Sequence, residues 1–167
     1  EFKASVVSIT HATCKGAQTG KVTFKMENLG GAGYRITEVN GALRSGAGYT
    51  TEITAPTFEV DGLRPGVNTI KFSNRTCGIV RTVTITEPDE LTLTATISEP
   101  AMCSNNTKAR VTLTAGGGTP PYTYIYQVGG NVTTQTSNVF TGVAPGTPTF
   151  RVVDKNGCST QLTGIFT

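Results

Sequence analysis

Five landmarks occur twice along this chain, in the same order, and that repetition limits the fold more than any other feature. With Cys14 and Cys103 set in register, Val22-Thr23-Phe24 falls opposite Val111-Thr112-Leu113. The stretch Gly30-Gly31-Ala32-Gly33-Tyr34 then matches Gly117-Gly118-Thr119-Pro120-Pro121-Tyr122. Gly62-Leu63-Arg64-Pro65-Gly66 matches Gly142-Val143-Ala144-Pro145-Gly146, and Thr69-Ile70-Lys71-Phe72 matches Thr149-Phe150-Arg151-Val152. Each run leads to a second cysteine, Cys77 or Cys158. Self-similarity in fixed order reads as two copies of one module. The copies span residues 3–88 and 89–167, with a junction near Glu87-Pro88-Asp89-Glu90.

Inside each copy the apolar residues alternate with period two, as on a strand buried on one side. Thr82-Val83-Thr84-Ile85-Thr86, Leu91-Thr92-Leu93-Thr94-Ala95 and Val22-Thr23-Phe24-Lys25-Met26 all show it, and no window has helical spacing. Threonine accounts for 31 of 167 residues. It is β-branched and suits half-exposed pleated surfaces, which argues against a helix bundle or coiled coil. Turn signals such as Asn40-Gly41, Asp61-Gly62, Pro65-Gly66, Pro145-Gly146 and Asn156-Gly157 punctuate the strands. Six or seven short strands in roughly 80 residues fit an all-β fold of two tandem immunoglobulin-like β-sandwich modules. No tryptophan is present to pack on a disulfide, so the expectation concerns architecture and not the antibody family.

The cysteines Cys14, Cys77, Cys103 and Cys158 are too widely spaced for a zinc site. An even number at such separations suits disulfides in an oxidising compartment. Three pairings are possible, and the repeat selects Cys14–Cys77 and Cys103–Cys158, one within each module. Each would close a loop of about 60 residues, worth up to ~4 kcal/mol in the chain-entropy account.

The order cysteine, polar turn, alternating strand, Gly-Gly-x-x-Pro-Tyr-x-Tyr, Gly-hydrophobic-x-Pro/Ala-Gly, alternating strand and Asp-x-Asn-Gly-Cys resembles the SprB-type repeat of surface adhesins in gliding Bacteroidota. The second half carries it through Gly118, Pro121-Tyr122-Thr123-Tyr124, Gly142, Gly146 and Asp154-Lys155-Asn156-Gly157-Cys158; the first supplies the junction Ile85-Thr86-Glu87-Pro88. The first half departs from it at Gly33 and at Ser73-Asn74-Arg75-Thr76-Cys77. The resemblance implies secretion across the outer membrane, an extracellular place on the bacterial surface, many tandem copies and a role in attachment and gliding. Adjacent repeats of the same chain, and a surface polysaccharide or other substratum, would be its partners.

No catalytic constellation is visible, and no enzyme is expected. The one histidine, His11, lies in a threonine-rich stretch, and most of the 11 acidic residues sit singly. Gly116-Gly117-Gly118 precedes a strand and not a helix, so it is a poor phosphate cradle. The net charge of +3 comes from scattered residues, which excludes a nucleic-acid stripe. No stretch approaches the ~20 apolar residues of a membrane span, so no membrane insertion is expected. Glu1-Phe2 reads as a scar ahead of a fragment of a longer chain. No cofactor is expected; calcium is a weak possibility, with Asp89, Asp154 and Asn156 as candidate ligands beside Glu87 and Glu90, but the glutamate that would close a calcium loop is missing.

Tyr122, Tyr124 and Tyr126 share one strand face. Alignment with Tyr34, Ile36 and Glu38 favours a core face for the first two and a solvent-edge place for Tyr126. The first copy is about eight residues longer between its tyrosine and its Gly-x-x-Pro-Gly turn, over 41–49. Surface loops are where recognition usually sits, and Arg44 and Tyr49 are residue types that interfaces favour. Arg44, Tyr49 and Tyr126 are therefore the candidate ligand contacts. Two functions compete: an adhesive stalk, and a carbohydrate-binding or spacer module of a secreted polysaccharide-acting enzyme.

Overall fold

The computed structural model describes residues 2–29, 31, 33–75, 77–99, 108–144 and 146–164. They form thirteen strands and no helix. In chain order the strands are β1 (Lys3–Thr10), β2 (Gly20–Glu27), β3 (Tyr34–Val39), β4 (Thr57–Leu63), β5 (Gly66–Asn74), β6 (Gly78–Ile85) and β7 (Thr92–Glu99). After these come β8 (Ala109–Gly116), β9 (Thr123–Val128), β10 (Asn131–Gln135), β11 (Val139–Val143), β12 (Thr149–Val153) and β13 (Ser159–Thr163). The chain divides into two compact units, Glu1–Glu87 and Pro88–Thr167.

The first unit holds two three-stranded antiparallel sheets, ordered β1-β2-β4 and β3-β5-β6. The second holds β11-β8-β7 and β10-β9-β12-β13. Leaving aside β10, the same strand order recurs: β7, β8 and β11 stand where β1, β2 and β4 stand, and β9, β12 and β13 repeat β3, β5 and β6. The units differ between their third and fourth shared strands. The first has an irregular stretch there, 40–56, broken only by isolated bridges, and the second has the exposed strand β10, which hairpins onto β9.

Alternation accounts for the packing. In β2, Val22, Phe24 and Met26 are buried while Lys21 and Lys25 face water; in β8, Ala109, Val111 and Leu113 are buried in the same rhythm. The buried faces of the two sheets meet in each unit. Phe24 of one sheet stands edge-on to Phe72 of the other, with ring centroids 4.9 Å apart. In the second unit Phe140 and Phe150 likewise meet across the sheets, with centroids 5.7 Å apart and ring planes tilted by 56°. Burying one such ring contributes roughly 1.5–3 kcal/mol, and the ring pair about 0.5–1.5 kcal/mol beyond that. Arg81 of β6 adds a polar tie between the sheets of the first unit, donating from Nε to the Ala4 carbonyl at 2.8 Å.

Strict alternation fails where Val60 and Leu63, three residues apart, are both buried, and again at Phe140 and Val143. A break in register lies at each place, and each contains a glycine with left-handed backbone, Gly62 (φ 60°) and Gly142 (φ 74°). The extra residue of a bulge resets the side-chain parity, and glycine adopts that conformation without a steric penalty. The first glycine of the repeated Gly-x-x-Pro-Gly motif is thus a bulge residue.

The floor of the first sandwich contains one fully buried polar side chain, Asn68. Its Nδ2 donates to the carbonyls of Arg64 and Gly66 at 2.8 and 3.1 Å, and its Oδ1 accepts from Asn40 Nδ2 at 2.8 Å. Asn40 in turn accepts the Thr69 N–H at 2.8 Å. Every hydrogen-bonding atom that stays buried needs such a partner, because an orphaned one costs about 1–3 kcal/mol. Asn68→Ala is expected to lower the stability of this unit by about 2–3 kcal/mol in urea denaturation; a change within 0.5 kcal/mol, the size of an ordinary surface substitution, would contradict the network.

Candidate functional site

The long segment 40–56 is laid along β3 and tied to it. The Tyr34 N–H donates to the Ile53 carbonyl at 3.0 Å, the Ile53 N–H returns to the Tyr34 carbonyl at 2.7 Å, and the Ile36 N–H donates to the Gly48 carbonyl at 2.8 Å. The buried Tyr34 ring adds a bond from its hydroxyl to the Ala55 carbonyl at 2.9 Å, and burial raises its phenol pKa. Arg44 and Tyr49 serve this same attachment. The Arg44 guanidinium donates to the carbonyls of Asp61 and Gly62 at 2.6 and 3.3 Å and lies 5.9 Å from the centre of the Tyr49 ring. Tyr49 is half-buried and meets Phe58 edge-on at 6.0 Å. Both side chains thus help hold the segment against the sandwich.

Tyr126 departs from its expected place at a solvent edge. Its ring stacks on Phe150 at 5.2 Å and packs beside Phe140 at 5.7 Å, so it belongs to the margin of the second core. The register explains the difference: Tyr126 lies directly opposite Phe150 on β12, on the inward face. Tyr124 is buried, which raises its phenol pKa. Tyr122 is half-buried and donates to the Gly117 carbonyl at 2.6 Å. The hydroxyls of Tyr34 and Tyr122, matched in the repeat, thus both fasten a loop carbonyl.

Asp154 is buried. Its Oδ1 accepts the N–H groups of Asn156 and Cys158, both at 2.9 Å, and its Oδ2 accepts the Thr119 N–H at 2.8 Å. Three donors hold the carboxylate in a turn-forming role, the behaviour that makes aspartate common in turns. The Asn156 amide donates to Thr119 Oγ1 at 3.1 Å, and Asp89 takes part through its backbone carbonyl, which accepts the Gly118 N–H at 2.9 Å. Gly118 must be small here, since a Cβ would stand 2.9 Å from Asp154 Oδ2. The glycine run therefore serves a close approach of backbone to carboxylate. Among the described residues no group of three or more His, Cys, Asp or Glu is placed to hold a metal ion.

The first unit has a counterpart to this turn that the sequence reading overlooked. Asn74 Oδ1 accepts the Cys77 N–H at 2.7 Å, and the Asn74 N–H donates to the Cys77 carbonyl at 2.9 Å. Asn74 stands where Asp154 stands, one position nearer its cysteine; a short polar residue shortly before each second cysteine was the available signal.

The expected Cys14–Cys77 disulfide is not formed: Cys77 is a free, exposed thiol, whereas Cys14 and Cys158 are disulfide-bonded. The reason lies in β6. Cys77 precedes its first residue, Gly78, whereas the Cys14 loop is fastened beyond its last, where Lys15 and Gly16 bond Glu87. An eight-residue strand spans about 25 Å, and a disulfide needs Cα atoms within about 7 Å. Cys103 lies outside the described residues, and with it the expected Cys103–Cys158 pair. His11 is exposed, and its Nδ1 accepts the Thr86 N–H at 3.0 Å.

No protein-family model matches the chain, and no curated protein matches it in sequence. Among solved structures, the C-terminal 282-residue fragment of intimin, crystallised with the intimin-binding domain of the translocated intimin receptor, is similar at 16% identity and a TM-score of 0.40. The match covers 97% of this chain and 64% of that one, so the chain spans less than two thirds of that fragment. At that TM-score nothing about fold or function follows from it.

Three outcomes are expected. Tyr126→Ala lowers stability by about 2–4 kcal/mol in urea denaturation, as loss of a packed aromatic ring does; a loss under 1 kcal/mol would return Tyr126 to the solvent edge. Asp154→Ala costs about 3 kcal/mol, because three backbone donors lose a charged acceptor, and Asp154→Asn costs less. Iodoacetamide labels Cys77 in the native protein, as peptide mapping would show; Cys77 recovered in a disulfide would refute the assignment.

Proposed function

We propose that this chain is a piece of a large secreted cell-surface adhesin, built from tandem immunoglobulin-like units that extend a stalk for attachment and gliding. The observation that carries the reading is the recurrence of one strand order in two successive units, divided at Glu87–Pro88. Proline fixes φ at the junction and restricts its motion, which suits a filament better than a flexible tether. The resemblance of both halves to SprB-type repeats supplies the class, and with it the extracellular, outer-membrane-associated location and the neighbouring repeats as partners.

The role is non-enzymatic. His11 accepts one backbone N–H and Asp154 accepts three, so both serve to hold backbone in place. The internal engagement of Arg44, Tyr49 and Tyr126 counts against a sugar-binding platform on those residues. Contact with a polysaccharide or other substratum then belongs to the full filament.

Antibodies raised against the 167-residue chain are expected to label intact producing cells and to reduce their attachment to surfaces. Labelling only after permeabilisation would overturn the surface assignment, and surface labelling with attachment and gliding unchanged would overturn the adhesive one.

A further inference from the structure

The chain leaves the first unit through Thr86 and Glu87, just beyond β6. Four bonds fasten these two residues to the segment 11–16. The Ala12 N–H donates to the Thr86 carbonyl and the Thr86 N–H donates to His11 Nδ1, both at 3.0 Å. The Gly16 N–H donates to Glu87 Oε2 at 2.6 Å, and Lys15 Nζ donates to Glu87 Oε1 at 2.5 Å. Of these only the Ala12–Thr86 bond joins backbone to backbone, and alone it would hold the exit at one residue. The Glu87 carboxylate does more, because each oxygen takes a donor from a different group of the same turn.

We propose that Glu87 is an acid-released clasp, which binds the exit of the first unit to the 11–16 turn and so fixes the direction in which the chain departs toward Pro88. An ionised carboxylate accepts both bonds. A protonated one loses its attraction for the Lys15 ammonium and keeps only a weaker, neutral bond to Gly16.

Lys15 holds the Glu87 carboxyl below the ordinary glutamate value, chiefly through its hydrogen bond, with the Gly16 N–H adding to it. Lys15 is also the charged side chain that acts on it electrostatically. A depressed carboxyl pKa places the clasp's stabilisation above the unfolded value, and it is lost as pH falls through the folded one. The clasp therefore holds at neutral pH and opens only in acid, below the usual glutamate range. The adjoining Thr86–His11 bond uses a separate amide, so the two can be observed independently.

Amide exchange of the ¹⁵N-labelled full chain tests this, with rates corrected for intrinsic pH dependence. In the wild-type protein the Gly16 amide is expected to lose about tenfold protection between pH 7 and about pH 3, as removal of one charge-assisted bond requires, while the core amide of Phe72 stays protected. Glu87→Ala should remove that protection already at pH 7. Glu87→Gln retains an acceptor and cannot titrate, so it should keep most of the Gly16 protection and lose its acid dependence. Equal Gly16 protection at both pH values in the wild type, or an acid-dependent loss persisting in Glu87→Gln, would overturn the proposal.

Discussion

Each unit of this chain depends on closing two sheets face to face over side chains that alternate along the core-facing strands such as β2 and β8. A half-chain of roughly 80 residues buries a smaller fraction of its surface than a larger domain does, so little stability is to spare. The aromatic pairs Phe24–Phe72 and Phe140–Phe150 stand at the centre of that closure, and both join one sheet to the other. The bulges at Gly62 and Gly142 serve the same end, because they turn Leu63 and Val143 inward after one residue that would otherwise set them facing water. Loops and turns are then secured by single polar groups aimed at backbone: Tyr34, Arg44, Asn68 and Asn74 in the first unit, Tyr122 and Asp154 in the second.

The strands were legible because period two is a local property: Val22-Thr23-Phe24 declares its buried side without reference to anything distant. Asn131–Gln135 was not, since β10 is exposed along almost its whole length and carries no alternation. Tyr126 was misplaced for a related reason. Its counterpart Glu38 follows a register break between Ile36 and Glu38, so the residue-by-residue alignment of the two halves loses its meaning there. Cysteine pairing was hardest to read. Order along the chain matched the four cysteines as two pairs, but a disulfide is decided by proximity, and the length of β6 separates Cys77 from the Cys14 loop.

Candidate recognition residues fared differently from the fold. Arginine and tyrosine in a long surface loop are the types that interfaces favour, yet the same chemistry equally suits the loop's own attachment. Arg44 donates to two carbonyls and lies beside Tyr49, and no sequence pattern distinguishes that from a waiting contact. Asp154 is similar: Asp-x-Asn-Gly is compatible with calcium or with a turn, and the position of the Thr119 N–H, 35 residues away, favours the turn. What remains is a pair of units with one repeated strand order, whose candidate residues are engaged internally.

The fold of each unit stands or falls on the inward faces of its two sheets meeting, and proton–proton contacts in solution measure that most directly. Nuclear Overhauser effects are expected between the rings of Phe24 and Phe72, whose centroids are 4.9 Å apart, and between those of Phe140 and Phe150 at 5.7 Å. Assigned spectra in which neither pair gives a cross-peak would contradict the sandwich closure and everything built upon it.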